Sequence, residues 1–238
     1  MQIDFVKVPY TTGPNMVKNT GPVFISTPSQ EILKQKHLEL ARFDTDLWAQ
    51  DPKLNKVIAR AAERCNVFSD DIRDLALRLE EDVAIMHQGR LAAICFCFPS
   101  GFIPRQRLGL ELSEIHRPVA DGELLVRASP GIARVMTEQE SFRRWVWTVT
   151  ANPNLSNHPS ARVDTVAESM DDLYFRYETQ TTMKVDSETS LFFVHVNVVP
   201  LRSVWNTRIL DSINSMSDAV LTYKNLHNIK RLLNTFGE

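Results

Sequence analysis

His116 closes a short apolar-faced run, Leu108–Ile115, and Pro118 fixes the chain just beyond it. An imidazole presented this rigidly can ligate a metal, its second ring nitrogen tied to a carbonyl or carboxylate. It can equally bond the last carbonyls of its own helix. Glu178 sits in an alternating run between Tyr177 and Thr179. Enclosed, such a carboxylate attracts a protonated amine or pairs with an internal arginine; alternation leaves a solvent-facing position open as well. Arg143, Arg144 and Arg176 are the cations suited to that pairing or to an anionic group. His195 falls inside the apolar run Phe192-Phe193-Val194-His195-Val196 and is either a hydrogen-bonded core residue or a second ligand. Trp145, one face with Trp147, serves as a pocket wall or packs a sheet against helices.

Other chemistries find no support. The sequence holds no Gly-x-Gly-x-x-Gly after a strand, no phosphate-binding Gly-rich loop, no His-Glu-x-x-His and no Gly-x-Ser-x-Gly. Ser100, in the Pro99-Ser100-Gly101 turn, has no evident base. Of the three cysteines, Cys95 and Cys97 point the same way in a strand-like run, and no second pair completes a metal site. Buried thiols in a reducing, cytoplasmic compartment are therefore expected. A formal charge of −2 gives no electrostatic case for nucleic acid or a polybasic membrane contact. No apolar run approaches the ~18–20 residues of a membrane span.

The elements that must position these residues follow from periodicity. Residues 1–27, rich in Gly, Pro, Thr and Asn, read as an irregular arm. Residues 28–238 read as a single domain: helical over 28–80, a strand-rich core over 81–201, and one or two helices within 205–236. In the core, Val83–Met86 and Leu91–Phe98 flank a tight turn, Phe142–Thr150 alternates, and Leu173–Met183 and Leu191–Val199 form a hairpin closed by Pro200. A short helix is expected to end at the residues before Pro118, and Leu124–Met136 to be helical or mixed, with a break at Pro130-Gly131. The fold class is thus α+β, an antiparallel sheet of about five strands with N-terminal, inserted and C-terminal helices.

A series of blocks carries more specific information. Glu81-Asp82 precedes a strand; then come Cys97-Phe98-Pro99-Ser100-Gly101-Phe102, Ile115-His116-Arg117-Pro118-Val119, Phe142-Arg143-Arg144-Trp145, Arg176-Tyr177-Glu178-Thr179-Gln180-Thr181 and a final strand ending in Pro200-Leu201. Their order and spacing, over roughly residues 70–201, resemble the haem-dependent oxidative N-demethylase-like family. The resemblance implies a PAS-like core holding haem b, with His116 as the iron ligand. It also implies oxygen-dependent removal of a methyl group from a small secondary amine, with electrons from a separate reductase. Arg143, Arg144 or Arg176 would then meet the haem propionates, and Glu178 the substrate nitrogen. Three positions depart from the family pattern: Phe102 replaces a tryptophan, Thr179 an arginine, and His195 the arginine usual in the last strand. A non-catalytic haem or gas-sensing module, with His116 and His195 both on the iron, is the competing reading, and a haem-free scaffold subunit the third. The arm and last helix either close the pocket or pair with a second subunit, so a homo-oligomer is possible.

Overall fold

The computed structural model describes residues 3–161 and 166–236. Its centre is an antiparallel sheet of seven strands rather than about five, in the order β1-β5-β6-β7-β3-β4-β2. The five expected strands are β3 (Asp82–His87), β4 (Arg90–Cys95), β5 (Phe142–Thr150), β6 (Tyr174–Lys184) and β7 (Thr189–Pro200). The two additions are very short. β1 (Val17–Lys18) lies in the arm and pairs with Arg143 and Phe142; β2 (Trp48–Gln50) adds to β4. Neither is long enough to show the alternation by which a strand is read.

Helices surround the sheet. α1 (Gln30–Phe43) starts at Ser29, whose hydroxyl accepts from the Ile32 amide. α2 (Asn55–Glu63) and α3 (Ile72–Leu77) pack over β3, β4 and β7. α4 (Leu112–His116) and α5 (Glu123–Glu138) lie between β4 and β5 in the chain and fold back on each other. The expected break at Pro130 is absent, because α5 runs straight through it. Leu125, Ser129 and Met136 are buried on one face of that helix, and their packing outweighs the one backbone hydrogen bond proline removes. The C-terminus forms three helices: α6 (Thr207–Asn214), α7 (Asp218–Tyr223) and α8 (His227–Asn234).

Cross-strand register sorts the sheet residues onto two faces. Arg144 pairs with Gln180 and Gln180 with Val194; Val146 pairs with Glu178 and Thr148 with Arg176. Those side chains share the face under α4 and α5. The intervening residues, among them Trp147, Val149 and Phe175, turn to the opposite face and pack against Ile209, Ile213 and Val220 of α6–α7. Cys65, Cys95 and Cys97 are buried free thiols, and burial pushes Cys65 up to about 12, which leaves it unreactive.

Buried charge fixes the start of β3. Lys36 is fully buried and donates to the carbonyls of Ala76, Leu79 and Glu81 at 2.8, 2.9 and 2.6 Å. Asp82, beside it, accepts from the amides of Cys97 at 2.9 Å and Phe98 at 2.8 Å. Burial raises the Asp82 carboxyl to about 6 against the pull of Lys36 and the two amides. The carboxylate therefore pins the turn that carries Ser100. Asp82→Asn keeps one acceptor and sets an NH2 against the other amide. It is expected to cost about 1–3 kcal/mol, read as a lower urea midpoint at unchanged slope.

Candidate functional site

A cavity of about 1260 Å³ wraps around the outer edge of β5. It exceeds the ~300–1,000 Å³ usual for small-ligand sites because it takes in space on both faces of the sheet. His116, Arg144, Arg176, Glu178 and Gln180 line it on the face under α4 and α5, and Trp145 and Thr179 also border it. Asp121 and Ser217, joined at 2.6 Å, tie the α4–α5 turn to the turn before α7. At the far end Lys224 donates to the outward carbonyl of Trp147 at 2.9 Å.

His116 is held from behind. α4 is short, but Glu111 and Glu114 cap its first turn reciprocally, and the Leu112 and Ile115 side chains pack on the core. The His116 ring does not bond the last carbonyls of its own helix. Its Nδ1 lies 3.1 Å from Ser129 Oγ on α5. The Ser129 hydroxyl donates its only proton to the Leu125 carbonyl at 2.8 Å, so at His116 it must accept. Nδ1 therefore carries the ring proton, and Nε2 keeps its lone pair. Nε2 has no hydrogen-bond partner among the described residues. Burial, with Arg144 adding to it, lowers the imidazole to about 4, so the ring is neutral near pH 7. A neutral ring with one nitrogen fixed and the other open is the state a metal ligand requires. Among the described residues no three His, Cys, Asp or Glu side chains gather to hold a bare metal ion.

Glu178 is the second centre. Its Oε1 accepts from Arg176 at 2.8 Å and from the Ser100 hydroxyl, and its Oε2 accepts from Gln180 at 2.7 Å. Burial alone would push this carboxyl up, but Arg176 and the three donors together hold it below the ordinary range. A carboxylate offers about four acceptor positions, so one remains at Oε2 for a further donor. Arg176 is more fully committed, with only its Nε left without a partner among the described residues. Its guanidinium also donates to the carbonyls of Phe98 and Leu155, both at 3.2 Å, joining β6 to the Ser100 turn and to the loop after β5. That loop and turn also pair directly. The Gly101 amide bonds the Asn157 carbonyl at 3.0 Å, with Gly101 at φ +79°, a conformation that favours glycine.

Arg143 and Arg144 part company because neighbours on a strand point opposite ways. Arg144 turns to the cavity. Burial lowers its guanidinium against the opposing pull of Glu178 and Tyr10, its Nε has no partner, and no carboxylate touches it among the described residues. Arg143 instead donates to the Pro22 carbonyl at 3.0 Å and lies over the Trp145 ring. Trp145 stacks on Phe5 of the arm, with ring centres 5.6 Å apart. His195 pairs with Thr179 in register and turns away from the His116 face; burial lowers it, and its charged neighbours are Glu80 and Lys36. Arg143, Trp145 and His195 therefore do not join the cluster around His116. Val194 and Phe192, both before His195 in β7, reach the cavity in its place.

Ser129, Ser100 and Gln180 were not among the expected site residues. Gln180 was legible, because Arg176, Glu178 and Gln180 follow the period of two that places strand residues on one face. Nothing local marks Ser129 or Ser100, whose roles depend on α5 folding back on α4 and on the turn meeting β6. His158, which has no partner at a useful spacing in the sequence, is fully buried and stacks on Phe43 at 4.0 Å.

No curated protein matches the chain. A family model described as "Haem-dependent oxidative N-demethylase, alpha subunit-like" matches residues 50–233, from the last residue of β2 into α8, and includes every residue of the His116 and Glu178 clusters. The match spans well over half the sequence, and on it the chain belongs to the haem-dependent oxidative N-demethylase alpha subunit-like family.

Proposed function

We propose that the protein binds haem b through His116 and, with dioxygen and electrons from a reductase on another chain, removes a methyl group from a small secondary amine. The observation that carries this reading is the neutral His116 ring, its Nδ1 tied to Ser129 and its Nε2 open, in a cavity where Arg144 has no carboxylate in contact among the described residues. A half-buried cation with no carboxylate in contact has free donors for an anion from outside the chain, and a haem carboxylate would supply one. The fit is therefore a chemical one. The family description, "alpha subunit-like", accords with an electron donor on a separate chain.

When bound, haem supplies oxygen activation: R–NH–CH3, O2, two electrons and two protons give R–NH2, formaldehyde and water. The chain's own groups do the rest. His116 offers Nε2 as the ligand while Ser129 fixes its tautomer. Arg144 holds a cofactor carboxylate. Glu178, ionised and immobilised by Ser100, Arg176 and Gln180, takes the N–H of a protonated amine at Oε2. Arg176 sets the position of that carboxylate and of the loop beyond it. The apolar walls on this face, Phe96, Phe102 and Val146 among them, keep water from the reacting centre.

The test is amine-dependent oxygen uptake and formaldehyde release by the haem-loaded full chain with a surrogate reductase. Glu178→Gln, which keeps the shape and loses the charge, is expected to raise KM for a methylated amine by about tenfold, the equivalent of ~1.4 kcal/mol. Haem-loaded protein that consumes no oxygen with any small methylated amine would leave a non-catalytic haem module in place of an enzyme.

A further inference from the structure

Next to His116, between the sheet and α4–α5, lies a second, partly open pocket of about 110 Å³. Ala84, Ile94, Leu112, Ile132, Met136 and Phe192 wall it, and apolar atoms make up nearly all of its surface. It adjoins the large cavity, since His116, Phe96 and Phe102 border both. The two spaces differ in chemistry as much as in size. The large one presents Glu178, Arg144 and Arg176; the small one, although Arg107, Arg144 and Gln180 also border it, exposes almost only apolar atoms.

A water molecule needs about two to four polar partners, and a void with such walls gives it few. An apolar void that stays dry leaves its lining atoms without dispersion partners on one side, and a small apolar guest restores those contacts. Engineered apolar cavities of ~150 Å³ take up xenon or benzene for this reason. A protonated amine would have to shed its hydration there for few replacement partners, so it is disfavoured. A tetrapyrrole is too large. Dioxygen, small and apolar, meets every condition.

We infer that this chamber is a binding site for dioxygen and similar small apolar gases, which wait there beside the ligand imidazole while the amine occupies the polar cavity. Its use in turnover rests on the haem reading above; the gas binding itself does not. The geometry separates the two substrates before they meet: the apolar one enters past hydrocarbon, and the charged one past Glu178.

Xenon is the probe. Crystals of the full chain pressurised with xenon, with and without haem, are expected to show the atom between Ile132, Leu112 and Phe192. Ile132→Phe fills the void from α5 and should remove the xenon. It should also slow carbon monoxide association with the reduced haem-loaded protein several-fold, with the Soret band unchanged. Ala84→Leu fills it from the sheet and serves if the first variant does not fold. No xenon in the chamber, or unchanged association in a filled variant, would overturn the inference. Xenon seen without haem but absent with it would also overturn it, because the porphyrin edge would then own the space. Protein that takes up no haem yet binds xenon there keeps the gas site and fails the haem reading alone.

Discussion

Replacing His116 with alanine is expected to abolish the Soret band of the reconstituted protein, and millimolar imidazole to restore it. The reason is the arrangement around the ring. Nδ1 is committed to Ser129, Nε2 is open, and burial keeps both true near neutral pH by lowering the imidazole to about 4. Removing the ring removes the only described nitrogen so prepared beside the cavity, and a free imidazole can enter the space it leaves. The companion variant is more discriminating. Ser129→Ala leaves the ligand in place but frees Nδ1, so the ring can rotate or shift its proton to Nε2. Outer partners of this kind are worth ~10–100-fold in metal affinity, so haem should bind that much more weakly while the band at saturation keeps its position. A His116→Ala protein with an unchanged Soret band would place the iron elsewhere. A Ser129→Ala protein with wild-type affinity would show that the tautomer is set by something other than α5.

What the sequence made legible was whatever repeats at short range. β5, β6 and β7 are long enough for alternation to declare them, and Pro200 and the Asp186–Thr189 turn bound the hairpin. The same alternation contained more than the strand boundaries, since residues 176, 178 and 180 share a face and form the Glu178 cluster. What stayed hidden depended on distance along the chain. Adjacent arginines at 143 and 144 must diverge, but only the pairing of β5 with β6 decides that 144 meets the cavity. Ser129 is thirteen positions from His116, across a turn whose path no local pattern fixes. β1 has two residues and β2 three, and edge pairings so short are chosen by the sheet already formed. Pro130 misled in the opposite sense. A local rule that favours a break yielded to the packing of α5 along one buried stripe.

The Arg176–Glu178 pair makes the second large prediction, and its sign reverses with pH. Both side chains are nearly enclosed, at 7% and 10% exposed, and Arg176 also satisfies the carbonyls of Phe98 and Leu155. Arg176→Met leaves Glu178 buried with Ser100 and Gln180 as its only donors, and loss of one member of a buried pair costs ~3–5 kcal/mol. In the wild type the folded carboxyl sits below its unfolded value. The stability it contributes is therefore complete above the unfolded value and lost as pH falls through the folded one. In Arg176→Met burial goes unopposed by the arginine and carries the folded carboxyl above the unfolded value. That variant should gain stability as pH falls through the raised value, because the proton then neutralises the stranded charge. Urea midpoints measured from about pH 7 down to about pH 3 should thus rise in the variant, while this contribution in the wild type stays level until pH passes below about 4.3 and then falls. Parallel slopes would mean that the arginine does not keep this carboxylate ionised. Glu178 would then lack the secured negative charge on which amine recognition depends.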